Sequence, residues 1–387
     1  MINYGLALAI IGALLGTAGP VCGRTWTNAI GRTFEAEFVR MDGANVILAL
    51  ANSRTFSMPL AEMSAGDQAL LLASGRPSPA AAVASTFSRP WPREVRLDGP
   101  VACKVVSEDA KSRRYIYESP SYRFTCDARV TDDALRNFSV MFEATHKYAL
   151  SMPMSLGGGT VRQGKLDILL FGSMDQYVAA GGPPSSAGCF ARGVVLVPMA
   201  SLGLKEGGTG FSLDSARYNN VLVHELVHQL TPAVYMVPGA SGWFSEGLAE
   251  YMAITPYNWG YFRPDIEGSL VKSYVTSRGA GGLGGRALGV TITAPRLKDF
   301  MLMPYVEYSG KNANFNYGVG LLLTHYFFHM EGGGKALRVT QFLKGLQSGR
   351  QGETSLAPLL GGSTYEKLES EISTAWAKMG VQIRFGG

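Results

Sequence analysis

The chain reads as an α+β protein in two parts, a small β-rich module followed by a larger domain whose strands come first and whose helices come later. Three observations lead there. Short apolar runs separated by turn residues fill residues 24–72, a stretch rich in Ala, Ser and Pro fills 73–92, and helical periodicity dominates after about residue 214. With 387 residues, 46% hydrophobic and 17% charged, the chain has the composition of a folded protein and room for two domains. The net charge is +5 and no run of Lys or Arg stands out, which argues against a nucleic-acid binder.

Leu6 to Leu15 is apolar apart from Gly12, and residues 1–23 carry no charge. Such a core is too short to span a bilayer, which takes about 20 residues. It has the length of a signal-peptide core, and Val21 and Gly23 suit the −3 and −1 cleavage positions. Residues 1–23 are therefore read as a signal peptide, with the protein secreted or placed in the periplasm or cell envelope and no membrane span after its removal. An uncleaved anchor is the alternative, since the leader has no Lys or Arg. In an oxidising compartment Cys103 and Cys126 could pair across a hairpin-like segment, or all three remaining cysteines could be buried thiols.

In residues 24–72, Phe34, Phe38 and Val39 precede an Asp42-Gly43 turn, the run Val46–Leu50, a turn at Asn52-Ser53 and the run Thr55–Leu60. Together with Trp26, Gly31 and Asp67, this pattern resembles a short SH3-like barrel known from a yeast endocytic adaptor. The resemblance implies either a spacer or a module that docks a peptide or a cell-surface partner. The Pro-punctuated stretch 73–92 is a semi-extended linker.

The domain from 93 to 387 opens with strands near 98–106 and 113–126. A helix at 132–150 follows, with Leu135, Phe138, Met141, Phe142 and Thr145 on one face. Lys165–Phe171 and Gly193–Pro198 read as further strands. A helix starting near Asp214 and stopping before Pro232 carries Val223-His224-Glu225-Leu226-Val227-His228, with Leu222, Leu226 and Leu230 as its packing stripe. Two histidines four apart on a helix can face one ion, and Glu225 lies where it can reach a water on that ion without being a ligand. Eighteen residues beyond His228, Glu246 in Trp243-Phe-Ser-Glu-Gly-Leu-Ala-Glu-Tyr251 can complete a two-His, one-Glu zinc set. Glu250, one turn on, is the natural acceptor for the outer nitrogen of a ligand histidine.

These two segments resemble the gluzincins, zinc peptidases of the aminopeptidase-like and uncharacterised bacterial branches. The resemblance implies His224, His228 and Glu246 as Zn²⁺ ligands and Glu225 as the base. It also makes Tyr317, in Asn316-Tyr-Gly-Val-Gly320, the oxyanion donor, with Tyr305 and Tyr308 as rivals. It implies a small mixed sheet whose edge strand, matched to Gly193–Pro198, pairs with substrate backbone. The acidic amine-binding motif of the aminopeptidases is missing, because no carboxylate lies between Asp175 and Glu206. The expected function is thus a secreted zinc metallopeptidase, an endopeptidase acting on a peptide or protein; the alternative is an inactive peptidase-like envelope protein that binds peptides or proteins. His325 and His329 read as packing residues because no acidic partner lies between them, His146 carries no function, and Gly281–Gly285 reads as a flexible loop.

Overall fold

The computed structural model describes residues 24–28, 31–42, 45–49, 55–64, 67–68, 86–157, 164–184, 186–191, 193–214, 220–277 and 285–386. The signal-peptide reading of residues 1–23, most of the linker and most of the Gly281–Gly285 loop therefore lie outside the described residues. The fold mixes helices and sheets, and the chain divides into two compact units between Arg89 and Pro90.

The first unit is an antiparallel meander of β1 (Arg24–Thr27), β2 (Thr33–Asp42), β3 (Asn45–Ala49) and β4 (Thr55–Pro59). β2 and β3 pair with Asp42 opposite Asn45 in register, while the turn expected at Asp42-Gly43 falls on residues outside the described ones. Trp26, Ala36, Val46, Leu48 and Met63 form the core, and the Trp26 indole N–H donates to the Ala36 carbonyl at 2.7 Å. An isolated bridge joins Asn28 to Met63, and the Asp67 carboxylate accepts from the Thr27 N–H at 2.8 Å. These contacts tie the end of β1 to the chain that follows β4.

The second unit is built on a six-stranded mixed sheet. Its strands are β6 (Lys104–Asp109), β7 (Arg114–Glu118), β8 (Tyr122–Cys126), β9 (Leu166–Phe171), β10 (Cys189–Ala191) and β11 (Val194–Pro198), in the order β10-β11-β9-β8-β7-β6. The pairs β8/β9 and β9/β11 are parallel and the rest antiparallel. β5 (Val95–Arg96) pairs instead with β14 (Tyr261–Phe262). The strand expected at 98–106 is thus displaced: residues 97–103 form no strand, and 113–126 is two strands rather than one. Cys103 and Cys126 are free thiols.

The long helix α1 (Asp132–Ser151) forms where the apolar spacing requires it, with Asp132 and Asp133 in its first turn favoured by the helix dipole. Leu135, Phe138, Met141, Phe142 and Thr145 are all buried. Phe138 and Phe142 meet Phe124 of β8 edge to face, both at 5.1 Å between ring centres, which locks α1 to the sheet. A hairpin of β12 (Leu204–Gly207) and β13 (Gly210–Leu213) then leads toward α2 (Asn220–Leu230). Asp214 sits at the end of that hairpin rather than at a helix start.

α3 (Trp243–Ile254) is buried on every side, its Glu246 and Glu250 included. It crosses α5 (Ala313–His325), with Gly247 against Gly320: a Cβ on Gly247 would stand 2.5 Å from the Gly320 carbonyl oxygen. α4 (Gly268–Thr276) and helices Leu337–Gln347, Glu353–Leu360 and Tyr365–Lys378 complete the unit, along with the parallel pair β15 (Thr291–Ala294) and β16 (Gln382–Phe385). Among the described residues no helix is long and apolar enough to cross a membrane.

Candidate metal centre

α2 ends where expected, at Thr231-Pro232, and the Thr231 hydroxyl closes it by donating to the Val227 carbonyl at 2.7 Å. Leu222, Leu226 and Leu230 are buried, which fixes the helix's rotation and turns His224 and His228 toward α3. There the two imidazoles meet Glu246. His224 Nε2 stands 3.0 Å from Glu246 Oε2 and 3.0 Å from His228 Nε2, and His228 Nε2 is 3.3 Å from Glu246 Oε2. Four ligands placed tetrahedrally at zinc bond lengths lie about 3.3–3.4 Å apart, so the triangle fits such an ion with a slight opening. All three side chains are buried and could hold a metal ion.

Glu250 also does what its position suggests. Its Oε1 is 3.0 Å from His224 Nδ1, leaving Nε2 to face the centre. The structure adds a partner that the sequence did not reveal. Arg286 grips Glu250 with both arms, Nε to Oε2 at 2.9 Å and Nη2 to Oε1 at 2.5 Å. Its guanidinium also lies 5.2 Å from the centre of the Tyr317 ring. Arg286 is 36 positions beyond Glu250, at the end of the Gly-rich segment, and no spacing rule points to it.

The electrostatics follow from this packing. Burial disfavours a charged His224, but the carboxylates of Glu246 and Glu250 outweigh it and push the imidazole up to about 10. Burial works against the Glu250 carboxylate too, and His224 and Arg286 nonetheless hold it at about 2. Glu246 is held well below the usual carboxylate range by the two histidines despite its burial. A cation bound among these groups would take the place of that proton on His224.

Glu225 is on the adjacent side of α2, and its Oε2 accepts from the Phe190 backbone N–H at 2.7 Å. Phe190 belongs to β10, which corrects one expectation: Gly193–Pro198 is not the edge strand. β11 lies inside the sheet between β10 and β9, and the three-residue β10 forms the edge beside Glu225. The Phe190 ring stacks toward His228 at 6.4 Å.

Of the three candidate tyrosines, Tyr308 is excluded because it is fully buried and donates to the Asn316 carbonyl at 2.6 Å. Tyr317 stacks on His224 with ring centres 5.9 Å apart. Tyr305 reaches the site as well, its hydroxyl donating to Glu246 Oε1 at 2.9 Å. Burial raises both the Tyr305 and Tyr317 hydroxyls above the ordinary phenol range, with Glu246 adding to the effect, so both stay protonated donors.

His325 and His329 lie apart from this centre, where His325 packs against Trp376 and His329 Nε2 meets the Tyr251 hydroxyl at 2.8 Å. Burial lowers them to about 3 and about 4, as packing residues that stay neutral. His146 Nδ1 lies 3.1 Å from Ser121 Oγ, but Glu143 accepts from that serine rather than holding the imidazole, so the three do not form a nucleophile relay. The chain matches no protein-family model and no curated protein.

Proposed function

We propose that the chain is an exported zinc-dependent peptidase of the gluzincin type, cutting within peptide or protein chains, with a small SH3-like unit at its N-terminal side as spacer or docking module. One observation carries this reading: His224, His228 and Glu246 converge on one point while Glu225 stands beside the two histidines on their helix. Two imidazoles and a carboxylate are a donor set suited to zinc. Zn²⁺ bound there would supply Lewis acidity, polarising a carbonyl and making water more acidic.

The chain's own groups supply the rest. Glu225 takes the proton from the attacking water and returns it to the departing amine. Tyr317 and Tyr305 are the donors within reach of the centre, and a phenol O–H aimed at the developing oxyanion stabilises it as charge builds. Glu250 and Arg286 keep His224 in one tautomer and one orientation. Among the described residues β10 is the edge of the sheet, so an extended substrate adding to it would bring its scissile bond alongside Glu225.

The test is the Glu225→Gln variant, assayed on unfolded casein beside the wild type. Loss of hydrolysis by at least about 10³-fold with metal content unchanged supports the reading, the drop expected when a general base is removed along with the water it activates. Full activity in the variant would remove Glu225 as the base.

A further inference from the structure

Between β5 and the first half of α1 the second unit carries an open cleft of about 600 Å³, away from the metal ligands. Its rim is the tip of a hairpin. Tyr257 bridges Phe262 and the Asn258 N–H donates to the Tyr261 carbonyl at 2.9 Å, which leaves Trp259 and Gly260 as a two-residue turn. Both have positive φ, 41° and 78°, as a type I′ turn requires. Gly suits the second place. A Cβ on Gly260 would stand 3.2 Å from both Leu97 Cδ1 and Val140 Cγ1, so the turn packs closely against those two side chains.

The first place of such a turn normally takes Asn, Asp or Gly, because a side chain there is strained. Here it holds the largest side chain, and Trp259 is the one aromatic among the described non-glycine residues with positive φ. The indole gains little burial in return, since the residue is 58% exposed. Strain kept at a position where folding does not need the residue points to binding.

The walls say what is bound. Asp133 pairs with Arg136 on α1, and Asp98 pairs with Lys147 at 2.6 Å. Arg96 lies over the Tyr261 ring at 4.4 Å. The acids and bases offset one another, so the cleft selects neither an anion nor a cation, yet with Asn137 they present many donors and acceptors. A folded protein partner would ask for a broad surface of about 800 Å² on each side, not a concave slot. A neutral ligand with an apolar ring face and hydroxyls around its edge satisfies both the exposed indole and these walls.

We propose that this cleft binds a glycan chain, with the Trp259 indole stacked on one sugar ring and the charged walls hydrogen-bonded to its hydroxyls. The site is independent of the metal centre and would tether the protein to a polysaccharide.

Chitohexaose and cellohexaose, both neutral β-linked hexasaccharides, are titrated into the full chain by calorimetry and tryptophan fluorescence. Saturable binding of at least one is expected, with Kd from about 10 μM to about 1 mM. Trp259→Asn, which fits the turn, should weaken it by about tenfold or more, and Trp259→Tyr should keep it within about threefold. Arg136→Gln, on the opposite wall, should weaken it by about three- to tenfold as a second, independent probe. No binding of either sugar up to about 10 mM overturns the proposal. So does undiminished binding by Trp259→Asn, or Trp259-dependent binding of an unstructured peptide in place of the sugars.

Discussion

Gly247→Ala tests whether the α3/α5 crossing sets the metal centre. A methyl group at Gly247 would sit 2.5 Å from the Gly320 carbonyl oxygen and 2.8 Å from its carbon, against 3.4 Å for ordinary contact. It would also meet Thr324 Oγ1, which can rotate away, whereas the Gly320 backbone cannot. The two helices must therefore part by up to about 0.9 Å, or tilt, in a buried region that packs like a crystal. Overpacking of this kind costs about 1–3 kcal/mol. Ala is the better helix former by about 1 kcal/mol, which offsets part of it. A net loss of up to about 2 kcal/mol follows, read as a lower urea midpoint with an unchanged slope. Because Glu246 precedes Gly247 on the displaced helix, metal affinity should fall as well. Gly208→Ala, where a Cβ meets nothing within 4 Å, serves as control and should stay within about 0.5 kcal/mol. A Gly247→Ala protein as stable as the wild type, with unchanged metal affinity, would refute the close-crossing argument.

Two further outcomes are expected. His325 and His329 are held neutral at about 3 and about 4, whereas an unfolded histidine titrates near 6.5. The unfolded chain then binds protons that the folded chain refuses, so their stabilising effect is whole above pH 6.5 and is lost as pH falls toward 4. Between pH 7 and pH 5 the pair should account for about 3–4 kcal/mol of lost stability, measured as the difference between wild type and a His325→Gln/His329→Gln protein in urea unfolding; equal losses in both would discount the pair. Glu250→Gln keeps the shape of the residue that holds His224 but removes its charge, so Arg286 loses its carboxylate partner. Zinc affinity measured against a competing chelator should drop by about 10–100-fold, and an unchanged value would mean that the Glu250 contact does not orient the ligand.

The group that could hold a metal was legible because its parts obey short-range rules. The spacing of His224 and His228 places both on one helix face, and Glu246 and Glu250 share a face for the same reason. The α1 helix was legible from five residues spaced on one face, four of them apolar, and β9 from its mostly apolar run. What escaped has no such local signature. β10 is three residues long, too short for any periodicity to show, and β12 and β13 lie in a Gly- and Lys-containing stretch that reads as loop. Their existence depends on partners brought in by the fold. Arg286 reaches the site through tertiary packing, and sequence distance from the ligands carries no trace of that. The displaced opening strand has a similar cause: β5 is drawn to β14, a partner more than 160 positions away.

The account rests most directly on the metal. Zinc per chain, measured by elemental analysis on purified protein refilled with metal and dialysed, should be close to one for the wild type and close to zero for His228→Ala. Wild-type protein that retains no zinc, or a His228→Ala variant that retains as much as the wild type, would contradict the assignment of His224, His228 and Glu246 as a metal site.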